Sequence, residues 1–265
     1  MNVVITGAAG FLGNRLTDAL LARGFLRATD GRDHPIDRIT LVDVVDPQHR
    51  DGPRVVRITG DVTDASLLER AIDAKASAIF HLAAIVSGMA EADFDLGMRV
   101  NIDASRALLD VCRNTGRCPR FVFTSSIAIF GGALPDAVPE TWAVRPQTSY
   151  GMQKAVTELL INDYTRRGFV DGRVLRMPTI SVRPGRPNAA ASSFASSIIR
   201  EPLNGEEAIC PVPAETRMWL LSPGAAIECL ITAHDLPGDA VGTNRTLNVP
   251  GLSVTVAEMV AALER

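Results

Sequence analysis

The stretch TSYGMQK at 148–154 sets Tyr150 four positions before Lys154. A helix starting near Ser149 puts both side chains on one face. Met152, Val156, Leu159 and Leu160 supply an apolar stripe by which that helix can dock. A phenol can serve as a base near neutral pH only if something favours its ionised form. Free tyrosine titrates near 10, and lowering it by about three units takes about 4 kcal/mol of differential stabilisation. An adjacent ammonium has the right sign, so Tyr150 and Lys154 are a candidate pair for taking a proton from an alcohol.

VVITGAAGFLG puts Gly7, Gly10 and Gly13 directly after a strand and at the mouth of a helix. Glycines there let the backbone approach a pyrophosphate, and the helix N-terminus offers unpaired N–H groups. The spacing is G-x-x-G-x-x-G, which departs from the G-x-G-x-x-G dinucleotide fingerprint. FTSS at 123–126 ends another strand, at the sheet edge where open α/β folds hold ligands, so Ser125 and Ser126 are candidates for a third partner.

Positioning these residues requires strands and helices in alternation, and the chain supplies them. Short β-branched runs at 3–6, 39–44, 55–60, 78–84, 121–126 and 174–179 are separated by FLGNRLTDALLARG, ASLLERAIDA, MRVNIDASRALLDVCRNTG and SYGMQKAVTELLINDYTRRG. This rhythm predicts an α/β fold, a doubly wound parallel sheet of the Rossmann type over residues 1–180. From 181 to 265 the pattern loosens into a smaller C-terminal substrate lobe, with a late strand at 245–251 returning to the sheet. VTVAEMVAALER reads as a helix cut short by the chain end, the pattern expected of a truncated chain.

The 265 residues are 46% hydrophobic and 22% charged, with a formal net charge of −3. No clustered cations suit phosphate backbones, so a nucleic-acid surface is not expected, and a small-molecule partner is. Cys112, Cys118, Cys210 and Cys229 show no metal-ligand spacing, so no metal is expected. MNVVITG lacks the features of a targeting segment and no uncharged run reaches about 18 residues, which predicts a cytoplasmic protein without a membrane partner.

TGAAGFLG at 6–13, DVTD at 61–64, HLAA at 81–84, FTSS at 123–126 and YGMQK at 150–154 together resemble the extended short-chain dehydrogenase/reductase superfamily of nucleotide-sugar epimerases, dehydratases and dehydrogenases. The resemblance implies catalysis by Ser126, Tyr150 and Lys154, with Lys154 also holding the nicotinamide ribose. It implies a cofactor site at Gly7, Gly10, Phe11, Leu12, Gly13, Leu82, Ala83, Ala84, Asn101, Ser125 and Pro178. Asp61 and Val62 would meet the adenine. Asp43, ending the second strand, would bond the adenosine ribose and repel a 2′-phosphate, which points to NAD; Asp46 is its alternative. His81 is expected to be structural. A homodimer through the Tyr-Lys helix and its neighbour is also implied.

Within that superfamily, Ile127 and Ala128 stand where dehydratases carry an acidic pair, which disfavours dehydration. Residues 145–213 resemble a sugar-acid dehydrogenase that oxidises the C2 hydroxyl of a four-carbon acid. Such a substrate needs a cation for its carboxylate. Arg217 is the first candidate, Arg183 the second, and Ser87 a further contact. A nucleotide-sugar 4-epimerase or reductase, and a non-catalytic NAD(H) sensor, are the alternatives.

Overall fold

The β-branched runs form one seven-stranded sheet. Its strands are β1 (Asn2–Thr6), β2 (Arg38–Asp43), β3 (Val55–Thr59), β4 (Ala76–His81), β5 (Arg120–Ser126), β6 (Asp171–Met177) and β7 (Thr246–Asn248). They lie in the order β7-β6-β5-β4-β1-β2-β3, every neighbouring pair parallel. The computed structural model describes residues 1–47, 52–185 and 189–263. The principal helices are α1 (Phe11–Arg23), α2 (Ala65–Ala71), α3 (Ala104–Asn114), α4 (Ser149–Arg166), α5 (Phe194–Leu203), α6 (Pro223–Asp235) and α7 (Val256–Leu263).

Successive strand residues point to opposite faces, and that alternation sorts two cores. Val3, Ile5, Ile39, Leu41, Phe80, Val122 and Leu175 meet Leu16 and Leu20 of α1 and Ile227 and Leu230 of α6. Val4, Val42, Ile79, Phe121, Phe123 and Val174 face the other way, onto Leu67 of α2, Leu108 and Leu109 of α3, and Ile161 of α4. Burying each such side chain contributes about 1.5–3 kcal/mol. With both faces covered, ligands have access at the strand ends, and the order reverses beside β1, which opens a crevice between the ends of β1 and β4.

A second, three-stranded sheet forms from Thr179–Ile180, Arg217–Leu221 and Leu252–Thr255, the middle strand parallel to the first and antiparallel to the last. It is backed by α5 and α7 through Ala195, Ile198, Val256 and Met259. Three elements differ from the sequence reading. The insertion before β2 folds as a hairpin of Phe25–Arg27 against Asp33–Pro35. The helix expected from Met98 begins as a π-helical turn, Met98–Asp103, before α3. Val254 and Thr255, read as helix, pair with Met218 and Arg217 because their β-branched side chains complete the small sheet. Among the described residues no helix is long and apolar enough to cross a membrane.

Candidate active site

β1 turns into α1 through the glycine loop. Gly7 has φ +71°, and a Cβ there would meet the Ala83 backbone nitrogen at 2.6 Å, so only glycine lets the turn lie against the loop after β4. A Cβ on Gly13 would sit 2.2 Å from the Gly7 carbonyl oxygen. Gly10 caps α1 with no side-chain hydrogen bond, which leaves first-turn N–H groups available to an anion. Asp43 accepts from the Ala9 and Val45 backbone N–H groups at 2.9 and 3.1 Å, so its carboxylate stands beside this loop. Asp46 instead faces Arg57 at the surface, 3.3 Å away. These residues fit a dinucleotide: a cradle that any side chain would fill, and an acid at the end of β2.

From that loop a cleft of ≈ 660 Å³ runs past Leu82 to Ser126 and Tyr150, and ends at Ile180 and Arg183. Thr148 caps α4 by accepting from the Gly151 N–H at 3.1 Å. A Cβ on Gly151 would lie 2.2 Å from the Ala128 carbonyl oxygen, and this close approach brings α4 against the turn that follows Ser126. Ser126 caps that turn by accepting from the Ala128 N–H at 3.1 Å. Burial pushes the Tyr150 phenol up to about 12, while the neighbouring Ser126 hydroxyl and the Arg183 guanidinium draw it down.

Lys154 is buried, and its ammonium donates to the Thr124 carbonyl oxygen at 2.8 Å. The ammonium stands 4.6 Å from the Phe123 ring centroid and 5.6 Å from that of Tyr150. Burial lowers it to about 7, opposed by the Glu158 carboxylate. From sequence, Lys154 together with the positive nicotinamide ring is expected to favour the phenolate; in the protein alone the cation whose field lowers Tyr150 is Arg183. Arg183 is itself half-buried, its pKa lowered by burial and by Arg200, and its guanidinium has no hydrogen-bond acceptor among the described residues. The arrangement can hold an alcohol between Ser126 and Tyr150 and an anionic group at Arg183.

Residues 3–222 match the model of the NAD dependent epimerase/dehydratase family. The chain belongs to this family. It is 61% identical to D-erythronate dehydrogenase of Cupriavidus necator over 100% of this chain and 82% of that protein. Identity to D-erythronate dehydrogenase of Haemophilus influenzae is 49%, over 99% of this chain and 81% of the relative. A crystal structure described as the nucleoside-diphosphate-sugar epimerase from Agrobacterium tumefaciens superposes with a TM-score of 0.92 at 46% identity, covering 100% of this chain and 78% of that one. The protein is therefore an NAD-dependent oxidoreductase of the epimerase/dehydratase family.

Several residues carried over from the family line the cleft: Gly7, Gly10, Phe11, Leu12 and Gly13 at one end, Leu82, Ala84 and Pro178 along it. Ser87 lines it too, and its hydroxyl oxygen accepts from the Ala191 N–H at 3.0 Å, fastening the lobe across the opening. Asp61 is exposed and accepts from Thr63 N–H; Asp64, not Asp61, caps α2. Ala83 packs its backbone on Gly7, and Val62 is buried in the second core.

Ser125 lines the cleft beside Ser126 and donates its hydroxyl to Glu158 at 2.5 Å, while Ser126 is the serine next to Tyr150. Two expectations need correction. Asn101 does not line the cleft: its amide bonds both backbone groups of Ile85, at 2.8 and 3.1 Å, and the Gln153 side chain, at 2.7 Å, so it holds the β4 loop to α4. Arg217 is exposed on the small sheet, where its charge acts on Glu258, and takes no part in the cleft. Three residues around Lys154 were not singled out from sequence: Thr124, which accepts from its ammonium, and Glu158 with its partner Arg176. Glu158 had a legible signal, its place four residues after Lys154 on the same helix.

Proposed function

We propose that the protein oxidises the C2 hydroxyl of D-erythronate, a four-carbon sugar acid, to the 2-oxo acid with NAD+ as electron acceptor. The observation that carries this reading is Arg183, a half-buried guanidinium without an acceptor among the described residues, standing in the cleft with Tyr150. A carboxylate on the carbon next to the reacting alcohol suits a cation in that place. The two relatives that bear the name D-erythronate dehydrogenase support the same substrate.

In this reading Arg183 takes the carboxylate and Ser126 orients the C2 hydroxyl. Tyr150 accepts the hydroxyl proton as the carbonyl forms. Bound NAD+ supplies the acceptor for the hydride from C2 and a positive charge that favours the phenolate. The glycine loop and Asp43 hold its pyrophosphate and adenosine ribose, and Lys154 holds the nicotinamide ribose. Residues 1–180, joined by α6 and β7, form the NAD-binding layer, and the substrate lobe is drawn from the chain after residue 181. A homodimer through α3 and α4 goes with this reading; Leu159 stands 70% exposed on α4, an apolar side chain that such a contact would cover. So does a cytoplasmic location, since all four cysteines are free thiols, two of them exposed.

The Agrobacterium tumefaciens structure favours a second reading, nucleotide-sugar epimerisation. Incubation with NAD+ and a panel of four-carbon sugar acids and UDP-sugars, followed by NADH absorbance and sugar analysis, separates the two. The expected result is NADH with D-erythronate and unchanged UDP-sugars. UDP-sugar interconversion without NADH from any acid would replace the first reading with the second, and cofactor binding without turnover of either would leave a sensor.

A further inference from the structure

Below the Tyr150–Lys154 pair lies a sealed cluster of charges that proton transfer does not use directly. Glu158 is one turn beyond Lys154 on α4, with 4% of its surface exposed. Its carboxylate takes a bidentate grip from Arg176 of β6, at 2.8 and 3.1 Å, and the Ser125 hydroxyl at 2.5 Å. Arg176 in turn reaches the Asn248 side chain on β7 and lies over the Phe130 ring. Counted by charge, the cluster holds two cations, Lys154 and Arg176, and one anion. Arginine cannot release its proton within a protein's pH range, whereas a buried lysine can. Any loss of negative charge here therefore falls on Lys154.

We propose that Glu158 is a positioning residue for the reaction, its buried carboxylate keeping Lys154 charged at the floor of the cleft while Arg176 and Ser125 fix where that charge sits. The importance of a charged Lys154 rests on the dehydrogenase reading; the electrostatic role of Glu158 does not. The other groups facing Lys154 cannot substitute. Thr124 of β5 offers a neutral carbonyl and Phe123 a ring. His81 of β4 is buried and neutral, and without bound NAD+ the Tyr150 phenol keeps its proton, so the lysine titration is read on the cofactor-free protein. Arg183, across Tyr150, adds a further cation. Ser125 links the cluster to the reacting groups, since its neighbour in β5 is Ser126.

The chain contains two lysines, Lys75 and Lys154, so 13C-lysine NMR follows Lys154 without assignment ambiguity once Lys75 is replaced by arginine. Glu158→Gln keeps the shape and removes the charge; the Lys154 midpoint is expected to fall by about 1–3 pH units, the range for losing a close opposite charge. Arg176→Gln leaves Glu158 to Lys154 alone and is expected to raise the midpoint. A purely structural ion pair would lower Tm in both variants and move neither midpoint, and that result overturns the proposal. If Glu158→Gln does not fold, an unmoved midpoint in Arg176→Gln overturns it alone. The alkaline limb of kcat/KM should track the midpoint. A limb that stays fixed while the midpoint moves would count against the role of Lys154 in turnover, and not against the coupling of Glu158 to it.

Discussion

At the scale of residues, the site reduces to a phenol that needs help to ionise and an arginine that needs an anion. In the proposed reaction Tyr150→Phe removes the proton acceptor and is expected to lower kcat by about 10²–10⁴-fold, the usual range for a general base. NAD+ affinity by calorimetry should stay within a few-fold of the parent. Arg183→Gln should raise KM for the acid by about 10–150-fold, from the roughly 1.5–3 kcal/mol of a hydrogen bond to a charged group. Because the Arg183 charge also lowers the Tyr150 pKa, the acid limb of the pH–rate profile should move to higher pH in that variant. A neutral alcohol of similar size should show no change in KM. Ser126 and Tyr150 were legible because a strand end and a helix turn have spacing rules. Arg183 ranked below Arg217 because sequence alone cannot say which side of a loosely patterned lobe faces the cleft.

At the scale of elements, the close approach of α4 to the turn after β5 sets the reacting groups. Gly151→Ala would put a methyl group 2.2 Å from the Ala128 carbonyl oxygen, pushing Tyr150 from Ser126. The expected outcome is a folded protein with kcat reduced at least about 10²-fold, since misplacement by about 1 Å costs that much; circular dichroism and steady-state rates check it. The strands and helices flanking these loops were readable from periodicity, and α4 begins at Ser149 as the Tyr-Lys spacing required. The lobe was not. Its sheet joins residues 179–180, 217–221 and 252–255, pairings far apart in sequence that no local pattern reports. α6 carried legible start signals, Ser222 as cap and Pro223 in the first turn, but its apolar run has weak amphipathicity because it packs on both the sheet and α1.

At the scale of the whole molecule, buried polar groups tie the layers together and make stability depend on pH. Ser105 donates its hydroxyl proton to the Asn101 carbonyl at 2.7 Å, so it must accept from His81 Nε2–H at 2.9 Å, which leaves His81 Nδ1 to accept from Thr6. Both ring nitrogens are occupied by a neutral tautomer, as its expected structural role requires, and burial lowers the His81 pKa to about 3. The unfolded chain binds this proton near 6.5, so the contribution of His81 is complete above that pH and is lost as pH falls toward 3. The full loss is of order 5 kcal/mol; urea midpoints between pH 7 and 4 should decline, and decline less in a folded His81→Gln variant. The same framework holds the glycine loop, the Ser126–Tyr150 contact and Arg183 around one cleft, and the central claim is that this cleft removes a hydride from C2 of D-erythronate. Turnover of D-[2-²H]erythronate with NAD+ tests it most directly, by mass analysis of the reduced cofactor. One deuterium per cofactor, with formation of the 2-oxo acid, is expected; unlabelled NADH, or no reduction at all, would contradict the account.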